Sequence, residues 1–224
     1  MATLAVLPVK SFERSKQRLG DGLPGGPRRA LAEAMFTDVL TALRRTEGLD
    51  GIIVVTGDIT AQQVAGGHGA DVVEDKVERG QSFAADVGVR RARDRGARRA
   101  LLVPADCPAL DPLELARFLG RAPGAVPDAI IVPDRHGTGT NALLLTPPDA
   151  LAPAFGPDSL NRHVERARST QVSHEVVPLP SLGLDVDTLD DLAALREHLD
   201  TTRGGAAHTR GLLNQLARAA GPAG

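Results

Sequence analysis

Short runs of apolar residues alternate with longer amphipathic stretches along most of this chain. The apolar runs are bounded by glycine, proline or polar residues, a pattern typical of strands that are buried on both faces of a parallel sheet. The strands predicted in this way span residues 3–8, 52–56, 71–73, 100–104, 129–132, 141–145 and 172–177.

Helical periodicity fills the intervals between these strands. It predicts helices over residues 27–45, 60–66, 81–95, 112–119 and 159–167, and a further helix after Thr188. In the helix over 81–95, Phe83, Val87 and Ala92 are expected to face the core. Strands and helices alternate in the first half, which predicts a mostly parallel sheet with helices on both faces, and the closely spaced later strands favour an antiparallel addition at one edge.

The domain organisation follows from length and from a change in composition near the carboxyl terminus. A chain of 224 residues suits a single α/β domain, which we place at residues 1–200. Beyond Thr201 the sequence becomes glycine-rich and polar, so residues 201–224 are expected to form a weakly ordered tail. Within that tail, Leu212, Leu213 and Leu216 would make one short packing helix.

Composition excludes several classes of partner. The formal net charge of −2 gives no reason to expect binding to nucleic acid or anionic membranes, and the absence of Trp and Tyr removes the usual base-stacking side chains. No apolar run approaches the roughly 20 residues that span a membrane. A single cysteine, Cys107, permits no internal disulfide. We therefore expect a cytoplasmic protein that binds neither nucleic acid nor membrane.

Three aspartates are candidate metal ligands. Asp106 follows the buried strand at 100–104, at the carboxyl end where open α/β sheets place their ligands. Asp185 and Asp187 stand two residues apart in an extended segment, so their side chains point the same way. Carboxylate oxygens suit Mg²⁺, and no His/Cys set has zinc spacing. The sequence thus predicts that the three acids converge on one or two Mg²⁺ ions, although Asp106 alone suits a turn and Asp187 a helix cap.

A cationic, glycine-containing loop leaves the carboxyl end of the first strand, at the edge that also carries Asp106. Lys10, Lys16 and Arg18 lie in this loop, over residues 9–27, and would face a polyanion held on the metal. Its glycines would let the backbone follow a phosphate chain closely. No Gly-Lys-Ser/Thr opens a helix, so the loop is not a Walker A motif. A solvated run of charge is the alternative.

Two further segments could bind an anion. One is the turn His-Gly-Thr-Gly-Thr-Asn at residues 136–141, and the other is Gly-Pro-Asp-Ser at 156–159, which opens a helix. Main-chain N–H groups and the hydroxyls of Thr140 and Ser159 are the candidate donors. A pair of donor-rich sites fits a small substrate bearing a carboxylate, although a hairpin turn and a helix cap would account for either segment alone.

Other chemistries receive little support. There is no Gly-x-Ser-x-Gly nucleophile elbow, and no Gly-x-Gly-x-x-Gly follows the first strand, which argues against a dinucleotide cofactor. Cys107 is interpreted as a buried structural thiol. His136 and His163 are isolated in the sequence, so we expect them at the surface or supporting the site from behind.

Taken in order along residues 3–198, six segments resemble the 2-phospholactate/phosphoenolpyruvate guanylyltransferase family, which makes the activated precursor of the deazaflavin coenzyme F-420. The segments are Pro8-Val9-Lys10, Lys16-Gln17-Arg18-Leu19, Pro104-Ala105-Asp106-Cys107-Pro108, Asp134-Arg135-His136-Gly137-Thr138-Gly139-Thr140-Asn141, Phe155-Gly156-Pro157-Asp158-Ser159 and Asp185-Val186-Asp187-Thr188.

The resemblance implies a Rossmann-like nucleotide-diphospho-sugar transferase fold. It implies transfer of GMP from GTP to phosphoenolpyruvate or 2-phospho-L-lactate, with release of pyrophosphate. It also implies that Mg²⁺ is bound against the acceptor phosphate by Asp106, Asp185 and Asp187, and that the acceptor carboxylate is bound by Thr140, Gly156 and Ser159. The nucleotide would be bound by Lys10, Lys16, Arg18 and Gln81. The catalytic residues would be Asp106, Lys10 and Lys16.

Several alternatives stay open. The acceptor could be 3-phosphoglycerate, and Asp-x-Asp also occurs in other metal-dependent nucleotidyl- and glycosyltransferases. A non-catalytic nucleotide-binding module would share much of the pattern. Neither the base of the nucleotide nor the oligomeric state can be deduced from the residues, a homodimer being one alternative.

Overall fold

A computed structural model describes residues 2–20, 22–77, 79–121 and 127–219. Its strands are β1 (Thr3–Val9), β2 (Gly51–Thr56), β3 (Asp71–Glu74), β4 (Arg99–Leu102), β5 (Ala129–Pro133), β6 (Thr140–Leu145) and β7 (His174–Val176). Its helices are α1 (Gly25–Arg45), α2 (Ile59–Gly67), α3 (Gln81–Asp94), α4 (Pro112–Leu119), α5 (Ser159–Ser169), α6 (Leu189–Thr201) and α7 (Ala207–Ala219). Short 3-10 turns occupy Phe12–Arg14, Gln17–Leu19 and Pro180–Leu182.

The strands form one sheet in the order β3-β2-β1-β4-β6-β5-β7. Strands β1 to β4 pair in parallel, β7 pairs in parallel with β5, and β6 runs antiparallel to both of its neighbours. The expected mostly parallel, mixed sheet is therefore confirmed. The expected position of the antiparallel strand was wrong, since β6 lies inside the sheet. Every residue of β6 is buried and the strand pairs with both β4 and β5, whereas β7 at the edge of the sheet is partly exposed.

Alternate residues of the central strands pack against helices on opposite faces of the sheet. Ala5 and Leu7 of β1 belong to a core shared with α1, α2 and α4. Leu4 and Val6 belong to a second core shared with α3 and α5. Both faces are covered, as the alternation of strands and helices predicted.

Small residues of α3 lie against the sheet. Ala84, Ala85 and Ala92 are buried, and a Cβ added at Gly88 would lie 2.2 Å from Cγ1 of Val6. Of the residues expected to face inward, Ala92 is fully buried and Val87 is half-buried against the second core, whereas Phe83 is half-buried and is not part of that core.

The carboxyl-terminal helix packs onto the fold. The backbone N–H groups of His208 and Thr209, at the start of α7, donate to the carboxylate of Asp38 in α1 at 3.0 and 2.8 Å. Leu213 joins a third core, which contains residues of α1 and α6. The short packing helix expected in the carboxyl-terminal tail is thus present. It makes defined contacts with α1 and with the third core. Residues 220–224 lie outside the described part of the chain.

No helix in the described part of the chain is both long enough and apolar enough to cross a membrane.

Candidate active site

A cavity of about 820 Å³ opens at the carboxyl ends of β1 and β4. It brings together all the site residues predicted from the sequence: Lys10, Lys16, Arg18, Gln81, Asp106, Thr140, Gly156, Ser159, Asp185 and Asp187. The parallel pairing of β1 with β4 places the cationic loop beside Asp106. Because β6 is antiparallel, its first residue, Thr140, reaches the same edge of the sheet.

At one end of the cavity, two acidic segments meet through both backbone and side-chain contacts. The N–H group of Val186 donates to the carbonyl oxygen of Asp106 at 3.3 Å, and the Val186 side chain is fully buried in the third core. Lys16 inserts between the acids: its Nζ contacts Oδ2 of Asp106 and lies 3.1 Å from Oδ1 of Asp187. Only 6% of the Lys16 side chain is exposed. The convergence predicted for the three acids therefore includes a lysine ammonium.

The charges at this end of the cavity depend on one another. Burial alone lowers the pKa of Lys16, but the charges of Asp106 and Asp187 and the hydrogen bonds to them raise it overall, so this ammonium keeps its charge. Burial, followed by the charge of Asp106, raises the pKa of Asp185 to about 6. The side-chain amide of Asn141 donates to Oδ1 of Asp185 at 3.1 Å and partly opposes that rise.

The acids at this end of the cavity are the candidate ligands for a hard divalent cation. Oδ1 of Asp106 is buried and has no hydrogen-bond partner among the described residues, which leaves a carboxylate oxygen available to a ligand. In the described part of the chain, no three Asp, Glu, His or Cys side chains are arranged so that they could hold a metal ion together. The Lys16 ammonium lies where it neutralises two of the acids. Oxygen ligands from Asp106, Asp185 and Asp187 would suit Mg²⁺.

The other end of the cavity contains hydroxyl groups. The Thr140 N–H donates to Oγ of Ser159 at 2.8 Å, and the Thr140 hydroxyl lies 2.9 Å from Nδ1 of His163. Gly156 adopts a φ of 114°, a conformation that favours glycine. Helix α5 begins after Asp158, whose side chain does not cap it. Hydroxyl groups and an uncapped helix start therefore face the same space.

In the turn between β5 and β6, two main-chain N–H groups donate hydrogen bonds to a residue of the same turn. The N–H of Thr138 donates to Oδ1 of Asp134 at 2.9 Å, and the N–H of Gly137 donates to the Asp134 carbonyl at 3.2 Å. These two N–H groups already have acceptors, so of the groups in the turn the Thr140 hydroxyl is the clearer donor to an anion.

The remaining predicted residues lie on the cavity wall. Lys10 and Arg18 are exposed there. Gln81 is the first residue of α3 and follows Gly80, which has a φ of 107° and provides no side-chain cap. The start of α3 is consequently open towards the cavity.

Two groups support the site from behind. His163 is fully buried and contacts Thr140, which is the second of the two positions expected for it, whereas Asp191 was not predicted. Asp191 accepts hydrogen bonds from the backbone of Asp187 and from Thr188, in a capping box, and from the side chain of Arg135. Burial raises the pKa of Asp191, but the bonds from Thr188 and Arg135 lower it overall to about 2. The Thr-x-x-Asp spacing is a recognisable sequence signal for the capping box.

Cys107 is fully buried, and its Sγ donates to the Leu182 carbonyl at 3.5 Å. Burial raises the pKa of this thiol well above its ordinary value. The interpretation as a buried structural thiol is confirmed.

Comparison with known sequences gives matches over almost the whole chain. A family model described as "Guanylyl transferase CofC like" matches residues 3–218. A phosphoenolpyruvate guanylyltransferase of Conexibacter woesei is 55% identical over 97% of this chain and 98% of its own. A phosphoenolpyruvate guanylyltransferase of Rubrobacter xylanophilus is 38% identical over 87% and 94%. A 3-phospho-D-glycerate guanylyltransferase of Colwellia psychrerythraea is 35% identical over 87% and 91%.

Solved structures with low sequence identity share the fold. A protein described as a nucleotide-diphospho-sugar transferase from Desulfovibrio desulfuricans G20 matches with a TM-score of 0.75 at 19% identity, covering 96% of this chain and 95% of its own. A cytidylyltransferase from Leptospira borgpetersenii matches with a TM-score of 0.61 at 11% identity, covering 98% and 95%. The expected nucleotide-diphospho-sugar transferase fold is confirmed.

Proposed function

The chain belongs to the family of CofC-like guanylyl transferases, and we propose that it transfers GMP from GTP to phosphoenolpyruvate with release of pyrophosphate. The observation that carries this proposal is the 55% identity, over nearly the full length of both chains, to a relative named phosphoenolpyruvate guanylyltransferase. We further propose that the product serves the biosynthesis of coenzyme F-420.

The two ends of the cavity support an acceptor that is a phosphorylated three-carbon acid. Phosphoenolpyruvate carries a phosphate and a carboxylate on a three-carbon frame. The end that contains Lys16 and the three acids suits phosphates, directly through the ammonium and through a metal held by the acids. The end that contains Thr140 and Ser159 suits the carboxylate, because hydroxyls donate hydrogen bonds to anions.

In the reaction, an oxygen of the acceptor phosphate attacks the α-phosphorus of GTP. The bond from that phosphorus to the oxygen that bridges to the β-phosphorus breaks, and pyrophosphate leaves with the electron pair. A phosphomonoester has a second pKa of about 6, so the attacking oxygen is mostly ionised at neutral pH. No general base is required. This agrees with the buried, neutral state of His163 and the buried state of Cys107.

The principal obstacle is the approach of one polyanion to another. Two unit charges 4 Å apart repel by roughly 4 kcal/mol at an effective dielectric constant of 20, and several such pairs arise here. Lys10 and Lys16 would offset this repulsion from the loop that follows β1, with Arg18 beside them. Mg²⁺ bound by Asp106, Asp185 and Asp187 would add positive charge at the reacting phosphates. Gln81, at the start of α3, would lie near the base and ribose.

A second acceptor has a specific observation in its favour. The relative from Colwellia psychrerythraea that is 35% identical to this chain is named a 3-phospho-D-glycerate guanylyltransferase. The higher identity to phosphoenolpyruvate guanylyltransferases makes phosphoenolpyruvate our choice.

The test supplies the purified protein with GTP and Mg²⁺, and in parallel with phosphoenolpyruvate, 2-phospho-L-lactate or 3-phosphoglycerate. Pyrophosphate release gives the rate, and mass spectrometry identifies the guanylylated product. We expect the highest kcat/KM with phosphoenolpyruvate, and loss of turnover in EDTA. Faster turnover of 3-phosphoglycerate would identify it as the acceptor in place of phosphoenolpyruvate. Undiminished turnover in EDTA would show that the reaction requires no metal ion.

GTP and small phosphorylated acids are metabolites of the cytoplasm, where we also place the enzyme. A homodimer is one alternative for the assembly, and light scattering of the same preparation would measure the oligomeric state.

A further inference from the structure

His163 occupies a fully buried position in α5, behind the hydroxyl end of the cavity. Its ring meets the ring of Phe155 edge-on, with the centroids 5.3 Å apart. Both ring nitrogens make short polar contacts: Nδ1 lies 2.9 Å from Oγ1 of Thr140, and Nε2 lies 2.8 Å from the backbone nitrogen of Ala154. The ring is therefore held in a single orientation.

These contacts determine which ring nitrogen carries the proton. The Ala154 backbone N–H can only donate, so Nε2 of His163 must be the acceptor and carries no hydrogen. The proton of the neutral ring is then on Nδ1, where it can be donated to Oγ1 of Thr140 and to the backbone of Ser159. Burial lowers the pKa of His163 to about 4, so the ring stays neutral at physiological pH.

The tautomer determines what the Thr140 hydroxyl can do. With Oγ1 accepting from the ring, the hydroxyl proton is left to donate to another group. Oγ of Ser159 likewise accepts, from the Thr140 N–H at 2.8 Å, and its own proton is left to donate. Neither hydroxyl proton has an acceptor among the described residues, and both hydroxyls line the cavity.

We propose that His163 is a positioning residue that commits the Thr140 hydroxyl to donate, and thereby selects an acceptor substrate bearing an ionised carboxylate. The identity of that carboxylate as the acceptor's rests on the function proposed above. The assignment of the tautomer does not, since it follows from Ala154 and Thr140 alone. A neutral ester or amide at this position would satisfy the two donors less well, because hydrogen bonds to an ionised acceptor are the stronger ones.

Two substitutions test the contributions of the two ring nitrogens separately. In His163→Asn the side-chain amide can still donate from near the position of Nδ1, whereas in His163→Gln the amide oxygen can still accept from Ala154 near the position of Nε2. We expect His163→Gln to raise the KM for phosphoenolpyruvate about tenfold and to leave the KM for GTP unchanged. His163→Asn should restore most of the acceptor affinity. Thr140→Ala should match the effect of His163→Gln, and combining the two should add little.

A merely structural role would give a different result. If Asn and Gln at position 163 raised both KM values alike, or lowered kcat alone, the positioning role would be overturned. Additive effects of His163→Gln and Thr140→Ala would overturn it as well.

Nitrogen NMR of histidine-labelled protein without substrate provides a readout that does not depend on turnover, and its first part needs only the wild-type protein. We expect the His163 spectrum to show a protonated Nδ1 and a bare Nε2, and the Nδ1 resonance to shift in Thr140→Ala. A proton on Nε2, or an unchanged Nδ1 resonance, would overturn the inference. If the wild-type protein fails to transfer GMP while the Nδ1 tautomer is observed, the proposed function fails and the tautomer assignment stands.

Discussion

The backbone N–H of Val186 donates a hydrogen bond of 3.3 Å to the backbone carbonyl of Asp106. This bond joins two acidic segments that are distant along the chain. The buried Val186 side chain anchors one of them in the third core. The acids are therefore held together by main chain and packing, against their mutual repulsion, and removing one carboxylate should leave the segments in place.

The first prediction concerns Asp106→Asn. We expect kcat to fall at least about a hundred-fold, because the substitution removes a proposed metal ligand and one of the two carboxylates that hold Lys16. The melting temperature should change little. Pyrophosphate release and thermal unfolding measure the two quantities. Asp190→Asn, at an exposed residue in the first turn of α6, is the matched control. A near-normal rate in Asp106→Asn would exclude Asp106 from the mechanism.

Lys16→Met should make stability depend more strongly on Mg²⁺. Without the ammonium, Asp106 and Asp187 face each other uncompensated, so we expect the free energy of unfolding in EDTA to fall by roughly 1–3 kcal/mol. Mg²⁺ should then raise the melting temperature of the variant more than that of the wild type, because the ion no longer competes with a lysine. Lys10→Met, at an exposed position, serves as the control for stability. Equal responses to Mg²⁺ would contradict the proposed metal site.

Ser159→Ala should raise the KM for the acceptor more than the KM for GTP. The substitution removes a hydroxyl from the carboxylate end of the cavity and the acceptor of the Thr140 N–H bond. A rise of about tenfold corresponds to the loss of one hydrogen bond to a charged group. Ser169→Ala, at the other end of α5 and exposed, is the matched control. The opposite pattern of KM values would place the acceptor carboxylate elsewhere.

The pKa of His163 predicts a dependence of stability on pH. Burial, with smaller contributions from Arg166 and Arg162, lowers this pKa from 6.5 to about 4, against an opposing hydrogen bond to the Ser159 backbone. Between pH 4 and pH 6.5, the unfolded chain binds a proton at His163 that the folded chain does not. The contribution of His163 to the free energy of unfolding should therefore rise with pH, by up to about 1.4 kcal/mol per unit, and level off above 6.5.

Asp185 acts in the opposite direction, since its pKa is raised to about 6 and the folded chain holds its proton more tightly. The effect of His163 is best isolated as the difference between the wild type and His163→Gln, measured by urea denaturation across this range. The stability advantage of the wild type should grow as pH rises from 4 to 6.5. A constant difference would mean that His163 titrates normally in the folded state.

Gly88→Ala should destabilise the fold without touching the cavity. The new Cβ would lie 2.2 Å from Cγ1 of Val6, so either α3 or the sheet must shift, at a cost of at least about 1–3 kcal/mol. Gly211→Ala in α7 is the matched control, because a Cβ there meets nothing within 4 Å and should stabilise the helix by about 0.5–1 kcal/mol. Urea denaturation compares the two. Equal effects would contradict the close packing of α3.

The sequence was sufficient to predict which residues line one cavity, because the signals are local or follow from general sheet geometry. Asp106 could be placed at the cavity since ligands of parallel sheets gather at the carboxyl ends of strands. Thr140 and Ser159 were recognised from glycine-containing segments. Helices on both faces of the sheet followed from alternation alone.

The features that were missed depend on distant contacts. Nothing near Lys16 in the sequence indicates that its ammonium lies between Asp106 and Asp187. A supporting position for His163 was one of two alternatives, but its partners Thr140 and Ala154 could not be named, because only the fold brings them to the ring. The interior position of β6 depends on strand order, which hydrophobic periodicity does not specify.

The reversed direction of β6 means that the two ends of the cavity draw on different parts of the chain. Thr140 opens β6 and Ser159 opens α5, whereas Lys10, Lys16 and Arg18 come from the loop that follows β1. Substitutions in the 134–140 turn and the 155–159 segment can therefore reshape the hydroxyl end of the cavity and leave the cationic loop in place.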